Sequence, residues 1–359
     1  MSLWGFTNFG IARKRSMGKK ILIVLHGSIG DVTRALPLAN VLRRAYPNAR
    51  ITWSIEPLAL PVLENHPAID EIIVFDRKLW WKSLVPFLRQ IRGGDFDLVL
   101  DLQRLLKSGF VSWWSGAPYR LGFHRLDSKE GNWLFNNHHI PPMGDGFLKL
   151  SHYLKFADFI GIHQAPVEWN LQCTPLEEEN VTKRLHAIDG RFAVFFVGAR
   201  WESKRWFPYQ TALSASEVHR RYGLAIVLLG GSDDVPFARE VESYGLVRLT
   251  NWVGKSSLRE AIGILSRASV AIGPDTGLMH LCDAVGTPVV SLWGATNPVR
   301  TGPYNYENLI VRGKADCSPC YLRRCPIGRL CMQSIGIEEV LDKVGEALDQ
   351  TGKTNVAWS

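Results

Sequence analysis

Short apolar runs that end in glycine turns, each followed by a segment of helical period, recur along this chain. KILIVLH at 20–26 runs into the GSIG turn, a helical pattern continues to about Tyr46, and RITWSI at 50–55 is a second apolar run. Near the other end, SVAIGPDTG at 269–277 opens a helix from about Gly277, and TPVVSLWG follows at once. Strands alternating with helices of this length predict βαβ units of a parallel sheet. EIIVFD at 71–76 and DFDLVLDLQ at 95–103 read as further strands around a helix at about 78–92. On that helix Trp80, Leu84, Phe87, Leu88 and Ile91 recur at helical spacing and are expected to pack inward. Residues 164–180, with Pro166 and Pro175, read as the connection between two halves. Beyond it come RFAVFFVGA, a helix near 209–222, LAIVLLGG, a helix near 234–244, VRLTNWVG, and a helix at 257–267. The expected class is α/β: two Rossmann-like, doubly wound domains facing a cleft, which suits 359 residues.

The helix that begins near Gly277 leaves its first N–H groups without intrahelical acceptors, and its dipole adds positive potential there, so the turn suits a phosphate. The turn at Gly27 and Gly30 lacks the G-x-G-x-x-G spacing, which disfavours a dinucleotide-dependent dehydrogenase. Two more turns at strand ends carry polar groups: GARWESKRWFP at 198–208 holds Lys204 and Arg205, and LLGGSDD at 228–234 holds two glycines and two carboxylates. Each alone could be a tight turn with a surface charge. Three at successive strand ends point to a nucleotide, with lysine for phosphate and carboxylate for ribose.

Composition is that of an ordinary soluble protein, 46% hydrophobic and 21% charged, and the net charge of +8 favours an acidic partner. No zinc-finger spacing or aromatic RNA-binding segment is present, so nucleic acid is not expected as a partner. No run of 18 apolar residues suggests a membrane span, and the start does not read as a signal peptide; the expected location is the cytoplasm. The leading segment, with Trp4, Phe6, Phe9, Arg13, Lys14, Arg15, Lys19 and Lys20, reads either as a contact with an anionic membrane surface or as a loose tail.

GSIGDVTRALPLANVLRRAYPNARITW, DLVLDLQRLLKSG followed by APYRLGF, GARWESKRWFP, IGPDTGLMHLCDAVGTPVVSLWGATNP and CSPCYLRRCPIGRLCM, in that order from about residue 20 to 335, together resemble glycosyltransferase family 9. The resemblance to these ADP-heptose:lipopolysaccharide heptosyltransferases implies a GT-B fold. Residues 1–172 would form an acceptor domain, 173–335 a nucleotide-sugar domain, and 336–359 a helix returning toward the first. It also implies an inverting, metal-independent transfer of heptose from ADP-heptose to the inner core of lipopolysaccharide, a lipid-linked, phosphorylated acceptor, with peripheral contact at the inner membrane and no cofactor.

Such a transfer requires a base for the acceptor hydroxyl and cations or dipoles for the departing diphosphate. Asp31 matches the family's catalytic aspartate; equally, an Asp before VTRALP reads as a helix N-cap, with Pro37 in an early turn. Lys204 corresponds to the family's phosphate-binding lysine. Asp275, Thr276, Gly277 and His280 are candidates for the diphosphate and sugar, and Gly231, Ser232 and Asp233 for the ribose. Gly198 and Ala199 stand where family members often carry hydroxyl residues. Arg104, Lys107, Arg120 and Arg125 are the candidates for a phosphorylated acceptor, with solvated surface charge as the alternative for each.

Cys317, Cys320, Cys325 and Cys331 could hold zinc, but C-x2-C-x4-C-x5-C is not the paired spacing of structural zinc sites, and reduced, loop-ordering thiols are the other reading. No catalytic metal is expected. Two rivals remain: a transferase or epimerase of the same fold with another nucleotide sugar, and a non-enzymatic protein with a decayed site, which would be expected to have lost Asp31 or Lys204.

Overall fold

A computed structural model describes residues 19–164 and 166–354. The first sheet comprises β1 (Lys20–Val24), β2 (Arg50–Ile55), β3 (Glu71–Val74), β4 (Leu98–Asp101), β5 (Tyr119–Gly122) and β6 (His138–His139) in the order β3-β2-β1-β4-β5-β6. The second comprises β7 (Phe192–Phe196), β8 (Ala225–Leu229), β9 (Leu249–Asn251), β10 (Val270–Pro274), β11 (Val289–Trp293) and β12 (Ile310–Arg312) in the order β12-β11-β10-β7-β8-β9. Every pairing is parallel; β1, for example, aligns Ile21 with Ile51 of β2 and with Leu98 of β4. This is the doubly wound pair expected of a GT-B fold.

The helices are α1 (Ile29–Ala45), α2 (Leu60–Leu63), α3 (Trp80–Gly93), α4 (Leu106–Trp114), α5 (Lys149–Phe159) and α6 (Pro175–Leu185). They continue with α7 (Pro208–Tyr222), α8 (Val235–Ser243), α9 (Leu258–Leu265), α10 (Gly277–Ala284), α11 (Pro298–Thr301), α12 (Leu330–Gln333) and α13 (Ile337–Thr354). In each sheet the chain winds outward from a central strand in both directions, so two strand ends meet at a switch point where no helix blocks the carboxyl edge. These points lie between β1 and β4 and between β7 and β10.

Several sequence expectations need correction. The connection ends at Thr174, because that residue and Glu177 form a reciprocal capping box that starts α6 at Pro175. Pro37 lies in the interior of α1. Trp80 is 56% exposed, and only Phe87 and Ile91 of α3 are buried. α13 packs on the second half: Val340, Leu341, Val344 and Ala347 join its core, and Arg221 of α7 pairs with Glu338. Four apolar positions at helical spacing must be covered, and the flank of the second sheet covers them.

The two halves share one continuous core, in which α1 packs on α10. The approach is close at glycines. A methyl on Gly30 would fall 2.4 Å from His280 Cδ2, and one on Gly277 2.9 Å from Ile29 Cβ.

Candidate functional site

The turns after the central strands of both sheets converge where α1 meets α10. Ser28, not Asp31, is the N-cap of α1: Ser28 Oγ accepts from the Asp31 amide at 3.3 Å, and Asp31 Oδ2 accepts from the Ser28 amide at 3.1 Å and from its hydroxyl at 2.9 Å. Asp31 therefore takes part in the cap as the partner of Ser28, not as the N-cap itself. One oxygen of Asp31 completes the capping box, and the other, Oδ1, faces the cleft. There Oδ1 accepts from Lys149 Nζ at 2.5 Å and from Arg34 Nη2 at 2.8 Å. Burial favours the neutral acid, but Lys149 and Arg34 outweigh it and hold the Asp31 carboxyl well below the usual carboxylate range.

Arg34 also crosses to the second half, donating Nη1 to His280 Nε2. A guanidinium has only donors, so Nε2 carries the lone pair and the proton sits on Nδ1, which is buried without a partner. Burial, then the charge of Arg34, push the His280 pKa well below its ordinary value. Asp31, Lys204 and Lys149 also act on this ring, so charges from both halves converge on it.

In the second half the β7 and β10 turns meet at their switch point. Lys204 Nζ donates to Asp275 Oδ2 at 2.5 Å and lies 4.7 Å from the centre of the Trp201 ring. Thr296 Oγ1 donates to the same oxygen at 2.8 Å. Thr276 is the N-cap of α10, yet its hydroxyl makes no cap hydrogen bond and is buried with no partner. An unpartnered hydroxyl at a helix N-terminus beside a lysine is an arrangement that an anionic ligand would complete.

Gly231, Ser232 and Asp233 lie exposed on the turn after β8. The carboxylate turned toward the strand ends is that of Asp234, which accepts from the Gly231 amide at 3.0 Å and from Arg205 Nη2 at 3.1 Å. A methyl on Gly198 would fall 1.8 Å from Asp234 Oδ2, so this carboxylate fills the space where a side chain at 198 would stand.

Of the acceptor candidates, Arg104 and Lys107 follow β4 at the carboxyl edge; Lys107 Nζ is paired with Glu56 at 2.9 Å. Arg125 is exposed beyond β5. Arg120 is corrected: its guanidinium donates to the carbonyls of Phe135 and Ala117, which precede β6 and β5 and so mark the opposite edge of the sheet. Arg104 instead meets a residue the sequence did not reveal. Asp145 Oδ1 lies 3.7 Å from Arg104 Nη1 and 3.3 Å from Arg300 Nε, the latter without an aligned hydrogen bond. Two guanidiniums from opposite halves thus flank one 72%-exposed carboxylate. Lys149, Arg34 and Arg300 were all missed, because each is an ordinary surface-type cation in sequence and only helix packing turns it inward.

The cysteine loop has a definite task. Ser203, next to Lys204, donates its amide to the Arg323 carbonyl at 3.2 Å and its hydroxyl to that of Leu322 at 2.5 Å, and Glu202 accepts from the Cys325 amide and pairs with Arg329. The loop thereby buttresses the Lys204 turn. Burial, then the three neighbouring cysteines, raise the Cys331 thiol. Among the described residues no group of three His, Cys, Asp or Glu side chains could hold a metal ion.

Neutral buried histidines predict a pH dependence of stability. Burial, then Lys107, lower His26 to about 3, and burial, then Arg104, lower His152 to about 4. The unfolded chain therefore binds more protons below about pH 6.5, so this stability is present above that pH and lost as pH falls toward 3–4. Asp101, raised by burial to about 6, and Asp283, also raised, act in the opposite sense. Each such histidine contributes up to about 2 kcal/mol of lost stability by pH 5, so calorimetry should show Tm falling from pH 7 to pH 5. Imidazole NMR resonances of His26 and His152 that titrate near 6.5 would mean that these rings are not held neutral.

The sequence profile of glycosyltransferase family 9 (heptosyltransferase) matches residues 85–330. The lipopolysaccharide core heptosyltransferase OpsX of Haemophilus influenzae is 26% identical over 304 residues, covering 82% of this chain and 84% of that protein. A glycosyl transferase family 9 structure from Veillonella parvula aligns with a TM-score of 0.79 at 22% identity, covering 94% of this chain and 100% of that one. The E. coli ADP-heptose lps heptosyltransferase II structure gives 0.74 at 22% identity, with 93% and 99% covered. At these identities the two structures bear on the fold alone, and the fold they share is the one described above.

Proposed function

This chain belongs to glycosyltransferase family 9, and on that premise we propose that it moves heptose from ADP-heptose to the inner core of lipopolysaccharide, inverting the anomeric carbon without a metal. The observation that carries this reading is the juxtaposition of Asp31 Oδ1, on the first half, with Lys204 and the start of α10 on the second, joined through Arg34 and His280. Residues 1–172 would receive the acceptor and 173–335 the nucleotide sugar.

The roles follow from charge. Asp31 Oδ1 accepts the proton of the acceptor hydroxyl as the oxygen bonds to the anomeric carbon, and the ADP–carbon bond breaks on the opposite face. Lys204 and the amides beginning at Gly277 stabilise the growing charge of the diphosphate, with Thr276 as a further donor. Asp275 orients Lys204, His280 holds the wall between the halves, and the ribose lies near Gly231, Ser232 and Asp233. With Lys149 on Oδ1 the aspartate is ionised but weakly basic. Arrival of the acceptor hydroxyl separates the two, and the desolvation already present then raises its basicity. Arg104 with Arg300, aided by Lys107 and Arg125, is suited to an acidic group of the acceptor, in the position now occupied by Asp145.

Such an acceptor implies work at the cytoplasmic face of the inner membrane. No helix of the described residues is long and apolar enough to cross a membrane, and the leading segment assigned to membrane contact, Trp4 to Arg15, lies outside the described residues. The reading is tested by offering a panel of nucleotide sugars with a truncated lipopolysaccharide and following nucleoside diphosphate release. ADP release from ADP-heptose alone is expected; UDP or GDP release would identify a transferase of the same fold with another donor. Because Lys204 and a helix terminus neutralise the diphosphate, turnover should survive EDTA. A requirement for added Mg2+ or Mn2+ would overturn the metal-free mechanism.

A further inference from the structure

Helix α3 and the end of α4 carry an apolar face that the fold leaves uncovered among the described residues. Trp80, Trp81 and Val85 are 56%, 59% and 62% exposed, and Trp113 and Trp114 are 51% and 36% exposed. The two helices form one surface: Trp114 Nε1 donates to the Leu88 carbonyl at 2.9 Å, and Phe110 packs on both Trp113 and Trp114 with ring centres 5.9 Å apart. The core takes Phe87 and Ile91 from α3, with Leu88 packed partly against them, and leaves its tryptophans uncovered among the described residues.

The charges around this face choose its partner. Arg77, Lys78, Lys82, Arg89 and Arg92 are all exposed, none is ion-paired among the described residues, and no Asp or Glu lies between residues 77 and 94. A second copy of the chain docking here through the same face would bring five cations against five, and like charges set against each other across an interface are costly. An anionic bilayer suits both features: tryptophan rings sit at the headgroup level, and each Lys or Arg near such a surface adds favourable attraction. We propose that the outer face of α3 and the end of α4 seats this protein on an anionic lipid surface, Trp80 and Trp81 entering the interface and the five cations meeting lipid phosphates.

The position is consistent with use. α3 follows β3, so Trp80 and Trp81 stand at the carboxyl edge of the first sheet, the edge that also carries Asp31, Arg104 and Lys107. The inference rests on the proposed transferase reading only for the purpose of the contact, and its test uses neither donor nor acceptor.

The full-length protein is sedimented with vesicles of phosphatidylcholine alone or mixed with phosphatidylglycerol. Wild type should bind the mixed vesicles selectively. At about fivefold in partition for each cation, Lys78→Glu/Lys82→Glu/Arg89→Glu should lose roughly a hundredfold or more. Arg239→Glu/Arg248→Glu/Lys314→Glu, with the same change of net charge on exposed positions of the second half, should lose far less. Trp80→Ser/Trp81→Ser should weaken binding by at least roughly tenfold. An unchanged Tm confirms that each variant is folded. The proposal is overturned if the α3 charge variant binds like wild type or no worse than the distal control. It is also overturned if the tryptophan variant keeps its vesicle binding but loses self-association in ultracentrifugation, which would make this a surface between copies. Wild type that ignores anionic vesicles yet glycosylates a soluble truncated acceptor would overturn the membrane surface and leave the transferase reading intact.

Discussion

Asp31→Asn is expected to lower the rate of transfer by roughly 100- to 10,000-fold, the usual worth of a positioned base, while ADP affinity stays near that of wild type. Asparagine retains a carbonyl oxygen that can accept from the Ser28 amide, so the start of α1 should survive. Its Nδ2 group would then face Lys149 and Arg34, both donors that have lost their carboxylate. A stability loss of about 1–2 kcal/mol is therefore expected, between the values for exposed and buried ion pairs. Single-turnover kinetics, calorimetric ADP binding and a melting curve on the same preparation separate the two effects. If most of the transfer rate remains, Asp31 is a capping residue with an ion pair, and the base must be sought elsewhere in the cleft. If ADP binding collapses as well, the variant has disturbed the α1–α10 contact, and the loss of rate says nothing about proton transfer.

Lys204→Ala is expected to weaken ADP binding and to slow the chemical step by a further factor of roughly 100 to 1,000, since leaving-group charge grows toward the transition state and a preorganised cation acts most strongly there. The effect should fall on kcat as well as KM. Asp275→Ala should mainly impair binding, and less severely, because it removes the carboxylate that aims Lys204 and anchors Thr296 and leaves the cation in place. With its ammonium nitrogen 2.5 Å from the Asp275 carboxylate, Lys204 would serve the proposed donor phosphates only by sharing or exchanging that partner. If neither substitution changes ADP affinity in calorimetry, the nucleotide does not occupy the β7–β10 switch point.

Much of the architecture was legible because it follows from local rules. A strand buried on both faces must be apolar throughout, and a helix beginning at a glycine turn must leave free amides, so the βαβ succession and the helix that starts at Gly277 could be read from short windows. Order along the chain also put Asp31, Lys204, Asp275 and His280 at strand ends. What sequence alone could not supply was which of these ends face each other. Asp31 and Lys149 are joined at Oδ1 across more than a hundred residues, Arg34 reaches His280 in the other half, and Arg104 and Arg300 meet at Asp145. Each contact depends on how α1, α5 and α10 pack. No local window encodes it, because a lysine on a helix looks the same whether its neighbour is water or a carboxylate.

The misreadings have the same origin. Helical spacing on α3 reports that one face could be buried; the fold buries Phe87 and Ile91, packs Leu88 partly against them and leaves Trp80 and Trp81 in solvent. The apolar face of α13 was equally real, and its partner is the second sheet. Arg120 carries the same charge as Arg104, yet the pleat of β5 and the loop before β6 turn it to the far edge. Local chemistry determined what each segment could do: which runs become strands, which turns open helices with free amides, and which side chains carry charge. Tertiary packing alone decided which of those capacities meet, since hydrophobic burial is non-directional and any sufficiently large complementary face would have satisfied it.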